Sequence, residues 1–185
     1  MPDTEICQNI FASSDSTVAV EAFQTGLFGK RRLILFFESF GGTFFHPLDS
    51  PETARLELQV DASSVVCREK SFSDAKRARI TKYVRDIALA AAQHPQIVFR
   101  STSVVAKPLR GFIMNGDLTV RGVTRAAKAN LGLSEMKKDR LQLDIDANLR
   151  LKDFSIEPPT SWFGLRRVTE EVTVHLMLWT NTRRE

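Results

Sequence analysis

Residues able to do covalent or metal chemistry are few in this chain, and they are scattered. His46, His94 and His175 show no HxxxH or HExxH spacing and have no cysteine beside them, so they make no metal-ligand set. Cys67 follows Val65-Val66 and has Arg68 and Lys70 close by, cations that lower a thiol pKa, but no base or oxyanion hole accompanies it. Cys7 lies sixty residues away, and two such cysteines do not make a disulfide framework. There is no GxGxxG or GxxxxGK[ST] loop to cradle phosphates, and Gly41-Gly42, between Phe40 and Thr43, reads as a turn or bulge. No paired acid and base is visible, so the expectation is a protein without catalytic residues, metal or cofactor.

One cationic cluster carries more information. Lys76, Arg79, Lys82 and Arg85 recur at steps of three within Ser73–Ala92, where Ile80, Val84, Ile87 and Ala91 mark a second face at helical spacing. Ser73, or Ser71 with Asp74, can cap the start of that helix. His94-Pro95 should end it, because the residue before proline is pushed out of helical geometry. The basic stripe suits the anionic head of a ligand or a nucleic acid, or it is a solvated face balancing acidic strands. No nucleic-acid-binding motif accompanies it, so nucleic acid is not an expected partner.

The elements that would position a site are mostly strands. Period-two alternation sets Ala54, Leu56, Leu58 and Val60 against charged or polar neighbours. It recurs at Phe112, Met114, Gly116, Leu118 and Val120, and at Leu141, Leu143, Ile145, Ala147 and Leu149. It closes the chain at Val168, Val172, Val174, Leu176 and Leu178. Further strands are predicted at Thr17–Phe23, Leu33–Phe40, Ile97–Val104 and Val123–Leu133. One apolar and one wet face is the habit of antiparallel sheets. About eight long strands with one helix fit a closed barrel, because closure removes exposed edges, or an open sandwich; alternation alone does not choose. The connection Lys107–Arg110 should fold Ile97–Val104 and Gly111–Val120 into a hairpin, with Phe99 and Met114 facing one shared interior. In Leu33–Phe40 both faces are apolar, which leaves one for the lumen and one for a dimer contact or the underside of the helix.

Composition sets the frame. The chain has 185 residues, 43% hydrophobic and 26% charged, within the range of a single globular domain over residues 1–185. Its 26 basic and 22 acidic residues give a net charge of +4, with a pI near 9.3. That bears on attraction to anions rather than on fold. Thirteen Phe against two Trp and one Tyr point to a large apolar core or an apolar cavity. The longest apolar runs, Leu33–Phe37 and Ile87–Ala92, fall far short of a membrane-spanning helix. The first twenty residues carry Asp3, Glu5 and Asp15 and lack an apolar leader core. A cytoplasmic location is therefore expected, or a periplasmic one if a leader has been removed.

Five short stretches, in order, resemble the YceI-like family of polyisoprenoid-binding proteins. They are Val60-Asp61-Ala62-Ser63-Ser64, the run from His94 to Thr102, Gly116-Asp117-Leu118-Thr119-Val120-Arg121-Gly122-Val123-Thr124-Arg125, Asp153-Phe154-Ser155-Ile156 and Glu170-Glu171-Val172-Thr173-Val174. The resemblance runs from about Thr17 to Trp179. It implies an extended, lipocalin-like antiparallel barrel with a helix near one end and an apolar lumen that binds isoprenoid quinones, polyprenyl chains or other long amphiphiles. Two features depart from the family: no signal peptide is visible, where many periplasmic members begin with one, and Gly26–Arg32 lacks the histidine found there in many members; Ser155, in place of the usual glycine, is a local backbone matter.

The resulting expectation is a carrier or sequestering protein whose ligand tail lies against Leu56, Leu58, Ile97, Phe99, Phe112, Met114, Leu118, Leu143, Ile145, Val172, Val174 and Leu176. Lys76, Arg79, Lys82 and Arg85 are the candidate head-group contacts. The small residues Ala54, Ser101, Gly116, Ala127, Ala129 and Ala147 on the same faces would leave room for it. The alternative is a stress-related or protein-interaction module whose barrel is filled by its own side chains.

Overall fold

The structure, a computed structural model, describes residues 8–12, 14–26, 29–45, 53–108, 110–137, 140–159 and 166–183. Its elements in chain order are β1 (Gln8–Ala12), β2 (Thr17–Gly26), β3 (Gly29–Phe37), β4 (Phe40–Phe45), β5 (Arg55–Asp61), β6 (Val65–Cys67), α1 (Asp74–Tyr83), β7 (Gln96–Ala106), β8 (Phe112–Val120), β9 (Val123–Lys137), β10 (Arg140–Arg150), β11 (Arg166–Val168) and β12 (Glu171–Arg183).

All the strand pairings are antiparallel, and they close a ring: β1 to β4, β5, β7, β8, β9, β10, β12 and back to β1. β1 and β2 follow one another along β12, with Ile10 opposite Asn181 and Val18 opposite Leu176. β3 and β4 run beside them, broken at Glu38-Ser39. β5 and β6 form the next path, broken by a 3-10 turn over Ala62–Ser64, where the Asp61 carboxylate accepts the Ser63 amide at 2.8 Å. The barrel therefore has about eight strand paths, the architecture the resemblance implied. The hairpin β7–β8 forms as expected, and Lys107 N–H donates to the Gly111 carbonyl at 2.9 Å across its turn.

Three expectations change. Gly41-Gly42 is not a turn but the middle of β4. A Cβ on Gly42 would collide with the Glu57 backbone and come within 2.6 Å of the Phe11 ring, so glycine is what lets strand and ring approach. The closing strand from Val168 is split into β11 and β12 by a turn at Thr169-Glu170. The helix stops well before His94-Pro95. Ser73 caps its start by accepting the Lys76 amide, but Val84–Ala88 forms a π-turn, in which Leu89 N–H donates to the Val84 carbonyl at 2.8 Å. Ala90 then adopts φ +47°. The π-turn inserts one residue into the helical phase. Ile87, expected on the apolar face, is thus carried out to solvent at 59% exposure, while Ala88 and Leu89 turn inward.

The helix covers the side where β6 leaves β7. Cys67 N–H donates to the Thr81 hydroxyl at 2.9 Å, and Ala62 N–H to the Pro95 carbonyl at 2.9 Å. At the far end the lumen is solid: Phe11, Phe44, Met114, Leu131, Leu143 and Leu178 are buried together. The Leu33–Phe40 ambiguity resolves as well. Leu33, Leu35 and Phe37 face the core, Ile34 and Phe36 face outward, and the Arg68 guanidinium sits 5.6 Å from the Phe36 ring.

Candidate functional site

The same strands that pack the far end leave a cavity of about 870 Å³ at the helix end. Alternation aims one side chain in two at the lumen. The inward positions of β9 and β10 include Ala127, Ala129 and Ala147, with Ala129 and Ala147 side by side, and these short side chains leave the wall thin between Ile145 and Leu149. Gly116 leaves space that the Phe99 ring occupies: a Cβ there would lie 2.6 Å from the ring. Ser101 does not line the cavity. Its hydroxyl accepts the Leu56 amide at 2.8 Å, beside the β7 bulge between Ser101 and Ser103. Ala54 is buried away from the cavity.

Of the apolar candidates, Leu56, Leu58, Ile97, Phe99, Leu118, Ile145, Val172, Val174 and Leu176 line the cavity. Phe112, Met114 and Leu143 do not. Met114 and Leu143 are at 0% exposure in the solid end, and Phe112 packs half-buried against that core. All three point inward as alternation requires, but they sit at a different height along the barrel.

The cationic candidates divide in two. Lys76 and Arg79 line the cavity, while Lys82 and Arg85 do not. Lys82 and Arg85 both hold Asp86, at 2.6 and 2.8 Å. The Arg85 hydrogen bond, then that of Lys82, holds the Asp86 carboxyl down at about 2, and Asp86 in turn raises the Arg85 guanidinium. Lys76 Nζ lies 3.5 Å from the centre of the Phe72 ring, and the Arg31 guanidinium 5.6 Å from the same ring. Arg79 has no hydrogen-bond or ion-pair partner among the described residues.

Several lining residues were not among the candidates. Val18, Val20, Ala22 and Gln24 on β2 carry a clear alternation that could have assigned their face. Ile80, Tyr83 and Val84 come from the helix, and Phe154 and Ile156 from the turn after β10. Ser155, between those two, has φ +57°, the left-handed conformation that explains a glycine at this place elsewhere. Arg167, on β11 opposite Thr25, also lines the cavity; nothing in its local sequence marks it. The polar side chains among the described lining residues are Gln24, Lys76, Arg79, Tyr83 and Arg167, with no carboxylate among them. An apolar pocket with a positive rim attracts an apolar molecule with an anionic or strongly accepting end.

A family model described as the YceI-like domain matches residues 12–178. The chain belongs to the YceI-like family. A UPF0312 protein of Azotobacter vinelandii is 28% identical over 127 residues, covering 65% of this chain and 62% of that protein, so the match spans less than two thirds of the relative. A UPF0312 protein of Shewanella baltica is 28% identical over 160 residues, covering 81% and 80%. Among solved structures, BcnA of Burkholderia cenocepacia superposes with a TM-score of 0.72 at 14% identity, over 90% of this chain and 97% of that one. A polyisoprenoid binding domain from Saccharophagus degradans, implicated in plant cell wall breakdown, gives 0.64 at 15% identity, over 96% and 99%. These structural likenesses establish the YceI-like fold.

Among the described residues no three of His, Cys, Asp and Glu gather as a metal set. Cys67 is a buried free thiol, and His175 pairs on the surface with Asp146 at 2.6 Å. Cys7 and His46 lie outside the described residues. No described helix is long and apolar enough to cross a membrane.

Proposed function

We propose that this YceI-like protein is a non-catalytic carrier or sequestering protein that holds the apolar tail of a single amphiphile in its lumen. The observation that carries the reading is the apolar cavity of about 870 Å³, bounded by Phe99, Ile145, Val172 and the alanines of β9 and β10. A barrel filled throughout by its own side chains, the alternative, has no use for such a space. The polyisoprenoid-binding description of the Saccharophagus degradans domain supports an isoprenoid or similar lipid as the ligand class.

Energetics favour a long tail. Burying a methylene contributes ~0.8 kcal/mol, so a tail of ~15 carbons gains ~12 kcal/mol, against association costs of ~4–15 kcal/mol. A short tail would not be retained without polar contacts. In this reading Lys76, Arg79 and Arg167 receive the head, Lys82 and Arg85 serve Asp86 instead, and no cofactor takes part.

The test is organic extraction of freshly purified protein with mass spectrometry of the extract, followed by reloading of the stripped protein. A stoichiometric amphiphile that reloads supports the carrier. Protein that arrives empty and takes up no amphiphile refutes it.

A further inference from the structure

The lumen has a floor, and the floor sets a limit on tail length. On four adjacent strands the cavity wall stops and the next inward side chain is wholly enclosed. Leu118 gives way to Met114 on β8, Ala129 to Leu131 on β9, Ile145 to Leu143 on β10, and Leu176 to Leu178 on β12. Met114, Leu143 and Leu178 are at 0% exposure, and Phe44 closes the plug from β4. A tail entering from the helix end has no path past them.

We infer that this floor makes the barrel a ruler, selecting single-chain amphiphiles with tails of about three to four isoprene units, or the acyl equivalent, over longer polyprenyl chains. The volume and the depth of the cavity give the same limit. Liquid water allots ~30 Å³ to each heavy atom and a tail carbon takes about as much. A cavity of about 870 Å³ therefore holds roughly 30 heavy atoms, head included. The cavity wall runs from Val18 to Gln24 on β2 and from Ile145 to Leu151 on the β10 side, which is ~20 Å along a strand and ~15 Å along the axis of a barrel with strands tilted ~40°. A tetrahedral carbon chain advances ~1.25 Å per bond, so ~12–16 chain atoms fill that depth. An eight-unit prenyl chain, with about 40 carbons, exceeds both limits.

The ruler presupposes the carrier reading, and the experiment separates the two. Delipidated full-length protein is offered linear all-trans prenols of two to eight isoprene units, and retention is read by native mass spectrometry, with circular dichroism reporting the fold. Retention should peak near four units and fall by at least tenfold at eight. Leu143→Ala, which lowers the floor, should move the peak up by up to one unit. Ala129→Leu, which raises it, should move the peak down by about one unit, and either variant suffices if the other fails to fold. Equal retention of four- and eight-unit prenols by the unmodified protein, or an unmoved peak in a folded variant, overturns the ruler and leaves the carrier standing. Retention of no prenol at any length overturns the ruler, and overturns the carrier as well if the protein also takes up no other amphiphile.

Discussion

Ala147 and Met114 both point into the barrel, yet a large side chain should have opposite consequences at the two places. Ala147 lines the cavity, opposite Ala129 on β9 and Val174 on β12. Ala147→Phe adds six ring carbons, on the order of 100 Å³ at interior packing density, roughly an eighth of the cavity's 870 Å³. The ring fills empty space between apolar walls, so the stripped protein should gain ~1–2 kcal/mol. For a chain of this size that raises Tm by ~2–8 °C. Met114, at 0% exposure, sits in the solid end. Met114→Trp must displace neighbours there, at a cost of ~1–3 kcal/mol, and should lower Tm by ~2–12 °C. Thermal unfolding of both stripped variants, with native mass spectrometry of a reloaded four-unit prenol, reads the difference. Ala147→Phe should be stable and bind poorly; Met114→Trp should be less stable while its folded fraction still binds. If Ala147→Phe destabilises as much as Met114→Trp, the helix end is packed like the far end and the cavity reading is wrong.

Gly116→Ala should cost ~1–3 kcal/mol, seen as a lower urea midpoint, because the new Cβ meets the Arg100 carbonyl and comes within 2.6 Å of the Phe99 ring. Arg79→Gln with Arg167→Gln should weaken uptake of a prenyl phosphate severalfold and abolish its salt dependence, while leaving the matching prenol unchanged. Lys82→Gln, remote from the cavity and bound to Asp86, should do neither; equal loss for phosphate and prenol would remove the arginines from the head site. Asp86 should titrate by carboxyl NMR near about 2, returning toward the ordinary aspartate range in Arg85→Gln. Since its folded pKa is depressed, its stabilising contribution is full above the unfolded pKa and is lost as pH falls toward 2. A midpoint unmoved by Arg85→Gln would contradict the assigned cause.

The strands were legible because each has a wet face. β5, β8 and β10 alternate strictly, and the structure puts them within a residue of where the alternation does. β4 was hidden by Gly41-Gly42, which reads as a turn in sequence and is a strand because the Phe11 ring and the Glu57 backbone crowd Gly42. That reason is tertiary and leaves no local trace. The helix was legible at its capped start and not at its end. Apolar spacing assumes a constant 3.6-residue phase, and the π-turn at Val84–Ala88 breaks that phase, exchanging Ile87 for Ala88 on the lumen side.

The site was legible by face and not by height. Period two tells whether a side chain points into a barrel, so Phe99 and Met114, on one hairpin, look alike in sequence. What separates them is the level at which opposing strands present large or small residues, and this depends on stagger around the ring. Met114 stands opposite Val104 and Ala129, and the space beneath Ala129 is taken by Leu131, Leu143 and Leu178 from neighbouring strands. Phe99 is paired with Leu58 and Leu118, and its ring lies over Gly116, whose partner on the next strand is the small, cavity-lining Ala127. Small residues therefore make a cavity only where they gather at one level. Gly116, register partner of Ala127, and Ser101 beside it add no room: the Phe99 ring covers the one and the Leu56 amide ties the other. Arg167 belongs to the site for the same non-local reason, because β11 pairs with the end of β2 at Thr25, beside Gln24. Binding capacity in this barrel is a property of register, and substitutions that preserve alternation while changing residue size at the level of Ala129 and Ala147 should alter the ligand before they alter the fold.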